Sequence, residues 1–187
     1  MRLQPGEYEV IVIGAGGGAS ADANGHHKTN YGMGATGGSG ASFKGILKIT
    51  STEDITITTG AGGYATNNGG TAGTGGTSSL SGIVSCPGGH GGYTGGKHSN
   101  SPGSGAGKCT VQNASKFSSI LVNAGGRCGS SGYCRHSKCV ARLSGSSPSI
   151  SVKDSYGGTC GITYAFRTSN RSISSGNCGY VKITYLR

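Results

Sequence analysis

Residues 14–107 hold 29 of the chain's 40 glycines. They come in runs such as GAGGG, GMGATGGSG, GAGG, GGTAGTGG, PGGHGGYTGG and PGSGAG. Glycine loses more conformational freedom on ordering than any other residue, so this density excludes a helix or an ordinary strand. Such a tract is either disordered or held in an arrangement that only glycine fits. Charged residues make up only 12% of the chain, and the apolar residues gather into short periodic runs, which argues against a solvated coil. Glycine does not recur strictly every third residue and there are only 4 prolines, which rules out a collagen triplet.

The periodic runs read as strands. Residues 7–13 (EYEVIVI) follow Pro5-Gly6 and stop at glycines. Residues 43–50 (FKGILKIT) and 54–59 (DITITT) alternate and are joined by a turn-type STED. Further strands are expected at 79–86, 118–122, 149–152, 161–166 and 180–186, and no helical periodicity of useful length appears. The first and last strands carry complementary alternation and are expected near one another. The pattern predicts an all-β fold, a β-sandwich or jelly roll. Apolar content is 33% without tryptophan, so backbone packing or oligomerisation must add to a thin core.

The glycine runs suit polyproline-II-like helices, left-handed with three residues per turn and no internal hydrogen bonds. Packed side by side, such segments satisfy one another's amides. Non-glycine positions then face outward or sit at tips, such as residues 64–68 (YATNN) and 92–102 (GYTGGKHSNSP). The ordinary alternative is a flexible Gly/Ser linker, but strands are embedded in the tract. The expected organisation is one domain over 1–187, a jelly-roll-like β-sandwich with inserted polyglycine-II helices. Residues 14–107 would hold most of the glycine segments and 108–175 a basic, cysteine-rich insert.

Net charge is +10. Residues 1–107 balance five Lys/Arg against five acids, whereas residues 108–187 hold eleven Lys/Arg and one acid, Asp154. This asymmetry points to an anionic partner, with a solvated basic face as the bland alternative. All seven cysteines (Cys86, Cys109, Cys128, Cys134, Cys139, Cys160 and Cys178) are candidates for disulfides, the seventh being free or intermolecular. The start, MRLQPGEYEV, lacks the apolar stretch of a signal peptide. A particle assembled inside a cell and later released would reconcile the two. No apolar run is long enough to span a membrane as a helix.

Residues 10–19 (VIVIGAGGGA) imitate a dinucleotide fingerprint, but the polar, glycine-containing segment that follows cannot supply its helix. No cofactor is expected. Residues 128–139 place three cysteines and His136 together at spacings that match no common zinc pattern, so disulfides or free thiols are expected rather than metal. Arg127, Arg135, Lys138 and Arg142, with Arg167 and Arg171 further on, interleave with Tyr133, Tyr164 and Phe166. Arginine and aromatic side chains on loops suit sugar stacking and pairing with carboxylate or phosphate. No nucleic-acid module signature appears. The histidines and the few acids form no catalytic set. Two sequons, at Asn113 and Asn170, matter only on a eukaryotic secretory route.

The framework PGEYEVIVIGAGGG, GASFKGILKITSTEDITITTGAGG, GGHGGYTGG and GNCGYVKITYLR resembles the glycine-rich domain of bacteriophage tail fibres and distal adhesins. A similar domain occurs outside the cell in the anaplastic lymphoma kinase receptor. The resemblance implies a jelly-roll-like sandwich with polyglycine-II helices and host-surface recognition through loops at the tips. This chain departs from it in its basic, cysteine-bearing second half. The expectation is a non-enzymatic virion protein of tail-fibre type, extracellular after release. Its partners would be an anionic host-cell glycan and other virion proteins, in a homo-oligomer with a trimer as one candidate, without membrane insertion or nucleic acid. The receptor-binding candidates are Tyr93, Tyr133, Arg135, His136, Lys138, Arg142, Arg167 and Arg171. The alternative is a structural protein of an extracellular matrix, surface layer or filament.

Overall fold

The computed structural model describes residues 1–22, 32–67, 69–95, 99–134, 140–143, 146–150, 158–159, 163–166 and 172–187. Residues 132–134, 140–142, 163–166 and 172 are described as backbone. These segments make an all-β protein whose single helical turn is a 3-10 turn at Ala114–Lys116. The first strands are β1 (Arg2–Leu3), β2 (Gly6–Ile13), β3 (Ser20–Asp22), β4 (Gly32–Ala35), β5 (Ser42–Ile49), β6 (Glu53–Asp54) and β7 (Ile57–Thr58). Next come β8 (Gly70–Thr71), β9 (Ser78–Leu80), β10 (Val84–Cys86), β11 (Tyr93–Gly95), β12 (Ser99–Ser101) and β13 (Thr110–Val111). The chain closes with β14 (Phe117–Ala124), β15 (Ser131–Cys134), β16 (Val140–Leu143), β17 (Thr163–Phe166), β18 (Ser172–Ile173) and β19 (Tyr180–Tyr185).

Two antiparallel sheets, β14-β5-β2-β19 and β13-β10-β9-β7, pack around the apolar core. Alternation in β2 and β5 turns Val10, Val12, Phe43 and Leu47 inward against Leu80, Val84 and Cys86. Each such side chain contributes roughly 1.5–3 kcal/mol by leaving water. Gly45 leaves the space that Phe117 occupies, and Phe117 meets Phe43 edge-on at 5.0 Å. The first and last long strands pair directly, with Tyr8 opposite Tyr185 and Ile13 opposite Tyr180.

Two strand assignments need correction. The run 54–59 is not one strand: β6 pairs with β1 and β7 pairs with β9, with residues 55–56 between them. The run 79–86 is not one strand but the hairpin β9–β10, because Gly82 adopts φ +71° and turns the chain there. Of the strand expected at 149–152, residues 149–150 form a bend and the remainder lies outside the described residues.

Cys86 and Cys109 form a disulfide and are almost fully buried. They continue the β10–β13 register, in which Val84 faces Val111 and Ser85 faces Thr110. The bridge therefore closes the base of the glycine-rich excursion 87–108.

Beyond the sandwich the strands give way to extended glycine-rich rows. Their amides bond to neighbouring rows in steps of three residues. In row 14–19, Gly14 and Gly17 donate to Ala41 and Gly38, Ala15 and Gly18 to Gly76 and Gly73, and Gly16 and Ala19 to Asn177 and Ser174. The carbonyls of Gly16 and Ala19 accept from Gly63 and Thr66, and those of Ala15 and Gly18 from Gly89 and Gly92. Row 36–41 is served the same way by rows 87–90, 103–106 and 127–130 and by Gly158. These two rows are buried throughout. The outer rows also bond to one another around them: 60–66 to 72–76, 72–76 to 89–92, 103–106 to 126–129, and 176–179 back to 60–63. Rows 126–130 and 174–179 belong to this layer although they lie outside the tract 14–107.

Only glycine fits most inner contacts. A Cβ on Gly17, Gly40 or Gly89 would come closer than 3.0 Å to a carbonyl of the next row, a separation real Cβ atoms essentially never show. The same close approach lets Cα–H groups face carbonyl oxygens, a weak additional attraction.

Candidate functional site: the distal hairpins

Opposite the sandwich, the rows widen into short hairpins around β4, which pairs with β3 and β15 and lies beside β11, β12, β16 and β17. Met33, 1% exposed, anchors this end. Beside it Ser20 Oγ and Thr94 Oγ1 share a buried hydrogen bond of 2.6 Å, which ties β3 to β11. Row 126–130 is held by two buried hydroxyls. Ser39 Oγ accepts from the Arg127 amide at 2.8 Å, and Thr36 Oγ1 from the Ser130 amide at 2.7 Å.

The β4–β15 register sets Tyr133 opposite Met33 and Cys134 opposite Gly32. Arg142 in β16 faces Tyr164 in β17. Tyr93 begins β11 between Thr71 and Ser101 and is 38% exposed. Arg127 is exposed on row 126–130. Arg135, His136, Lys138, Arg167 and Arg171 lie outside the described residues. In sequence, Arg135 follows the last residue of β15, and Arg167 and Arg171 bound the segment between β17 and β18. The topology therefore brings β15, β16 and β17 together around β4, although they come from distant parts of the chain.

Charge is distributed along the long axis. Four ion pairs lie on the sandwich: Lys44–Glu9 at 2.7 Å, Arg187–Glu7 at 2.7 Å, Lys116–Glu53 at 2.5 Å and Arg2–Asp54 at 3.9 Å. Four of the six acids are thus matched at that end. At the hairpin end the described acid is Asp22, only 8% exposed.

Of the remaining cysteines, Cys128 and Cys178 are exposed free thiols, so these two disulfide candidates are unpaired. Cys134 is described as backbone, and Cys139 and Cys160 lie outside the described residues. Among the described residues no three His, Cys, Asp or Glu side chains gather as metal ligands. The nucleotide-like GAGGGA is the inner row 14–19, and it continues into strand β3 rather than a helix. A cleft of about 380 Å³ between Lys48, Glu53, Ser115 and Lys116 lies on the sandwich, and the Lys116–Glu53 pair occupies its principal charges.

Sequence reasoning missed Ser20, Asp22 and Thr94, because a buried polar residue inside a glycine run carries no periodic signal. It set Tyr64 in an outward tip without naming it as a binding residue, and Tyr64 is 65% exposed on row 60–66.

With strand framework, inner rows and end hairpins in place, the class is that of a glycine-rich β-domain. The chain belongs to the glycine-rich domain family, whose model matches residues 3–186. A search of curated proteins finds no match. No described helix is long and apolar enough to cross a membrane.

Proposed function

We propose that this protein is a non-enzymatic virion component of tail-fibre type that binds an anionic cell-surface glycan at its hairpin end. One observation carries the reading. Four of the six acids are paired at the sandwich, while the strands flanking Arg135, Lys138, Arg167 and Arg171, together with Arg142, meet at the other end. Clustered guanidinium and ammonium groups attract sulfate or carboxylate, and arginine adds a planar fork for bidentate pairing. Tyr133 and His136 would complete the surface.

The three-residue register of the rows supports reading them as polyglycine-II helices, and the two packed sheets support a jelly-roll-like sandwich beneath them. In that reading the glycine layer is a stiff stem, the sandwich its mount and the hairpins the working tip. Assembly as a homo-oligomer, a trimer among the options, with other virion proteins would mount the sandwich on the particle.

The test is cell binding of the triple variant Arg135→Ser, Lys138→Ser, Arg142→Ser. Loss of binding, and a wild-type affinity that falls steeply with salt, are expected. Unchanged binding at low and high salt overturns the electrostatic recognition. Self-assembly into filaments with no saturable cell binding would favour a structural protein of a matrix or surface layer.

A further inference from the structure

From residue 60 to residue 96 there is no Lys, Arg, Asp or Glu. This stretch supplies three adjacent outer rows, 60–66, 72–76 and 87–92, joined by the bonds from Gly73 to Tyr64, from Gly75 to Gly89 and from Ala72 to Gly92. Exposure on these rows recurs every third residue: Ala61, Tyr64 and Asn67; Thr71, Thr74 and Thr77; His90 and Tyr93. The flank of the stem is therefore uncharged and regularly spaced, unlike the basic tip.

Two tyrosines stand on this flank, each backed by glycine. The Tyr64 ring lies on Gly73, whose absent Cβ would strike Cδ1 and Cε1. The Tyr93 ring lies on Gly95, whose absent Cβ would strike Oη and Cζ. Part of each ring thus packs against glycine backbone, and the rest remains open, with residue exposures of 65% and 38%. Such rings offer large amphipathic contact area with little side-chain entropy left to lose. Tyr64 sits opposite Gly73 and Tyr93 opposite Thr71, on either side of one row. Gly63 donates to Gly16 and Gly89 to Ala15, so the two rows curve round inner row 14–19 and lie less than two row spacings apart. Between them the exposed Thr71 and Thr74 present hydroxyls on a floor otherwise made of glycine and alanine.

We infer that Tyr64 and Tyr93, with Thr71 and Thr74 between them, form a second binding site, where the flank of the stem meets the hairpins, for an uncharged oligosaccharide. The apolar faces of two sugar rings would stack on the tyrosines, and the sugar hydroxyls would bond to the threonines. An anionic ligand gains nothing from these rows, which carry no Lys or Arg, and the Asp22 carboxylate beside Gly69 is only 8% exposed. A peptide would find no apolar pocket and no open strand edge between rows already bonded to each other. A neutral polyol with an apolar ring face matches both properties.

The experiment titrates the full chain with neutral hexasaccharides of glucose, mannose and N-acetylglucosamine in about 0.5 M NaCl, where attraction between exposed charges is screened. Saturable binding of at least one is expected. Tyr64→Ser and Tyr93→Ser should each weaken it by about tenfold, which is 1.4 kcal/mol, while Tyr64→Phe retains it. Tyr64 is mostly solvent-exposed, so its serine variant should keep the wild-type melting temperature. The triple variant Arg135→Ser, Lys138→Ser, Arg142→Ser should bind the neutral sugar normally, so failure of the basic-tip reading and failure of this one are distinguishable. No saturable binding to any of the three sugars, or binding indifferent to both serine variants, overturns the inference.

Discussion

Gly17 donates its amide to the carbonyl of Gly38 at 2.9 Å, at the meeting of the two inner rows. The position a side chain would take on Gly17 is already filled by the carbonyl of His90 from a third row. Hydrogen bonding and steric exclusion therefore act at the same residue.

This geometry separates glycines that matter from those that do not. Gly17→Ala must push a rigid backbone row aside and should cost about 3 kcal/mol, at the upper end of overpacking penalties. Gly107→Ala meets nothing within 4 Å and has no positive φ, so its effect should lie within about 0.5 kcal/mol. Denaturant midpoints of the two variants would make the comparison. Equal effects would remove the steric account of the inner rows.

The Cys86–Cys109 bridge closes a loop with a sequence separation of 23. In the chain-entropy description a loop of this size is worth about 3 kcal/mol. Replacing both cysteines by alanine should lower the denaturation midpoint correspondingly. Because the loop carries rows 87–92 and 103–106, hydrogen-exchange protection should fall there more than in β2 and β5. A uniform loss of protection would argue against a local clasp.

Thiol labelling of the native protein should modify Cys128 and Cys178, which are exposed and free, and spare Cys86 and Cys109. Peptide mapping after alkylation reads this directly. Native modification at Cys86 would contradict the buried bridge.

The Lys116–Glu53 pair is half-exposed at the edge of the cleft. Solvent screens it, so Lys116→Met should change stability by less than about 1 kcal/mol. Phe43→Ala, by contrast, empties the core beside Phe117 and should cost about 3–5 kcal/mol. Thermal melts of the two variants should order them in that way.

The strands that build the sandwich could be read from sequence because period-two alternation survives wherever one face is buried. Residues 43–49 keep that signal, whereas Val10 to Ile13 are buried on both faces, and the first and last strands, expected near one another, pair directly. The hairpin at Gly82 was hidden because Ser79 to Cys86 looks like one alternating run unless the glycine is known to turn. The glycine layer was legible as a kind of structure but not as an arrangement. Glycine runs announce close packing, yet carry no label saying which row meets which. Rows 126–130 and 174–179 were invisible for this reason, having fewer glycines, and the first of them borrows fit from Ser39 and Thr36. Of the candidate site, Tyr93 and Arg142 could be placed, but Tyr64 could not, since nothing in YATNN says that its ring lies on Gly73.

The bond from Gly16 to Asn177 joins the beginning of the chain to its end. Within row 14–19 the amides of Gly14, Ala15, Gly17 and Gly18 find partners in residues 38–76, but those of Gly16 and Ala19 find theirs only in residues 174–177. No inner row can be completed by local zippering, so the layer should assemble late and all at once, after the sandwich strands β2 and β5 have met. A chain in synthesis must therefore keep the amides of Gly16 and Ala19 unsatisfied until residues 174–177 have been made. A ribosome stalled before residue 174 should hold a folded-looking hairpin of β2 and β5 beside a stem that has not yet formed.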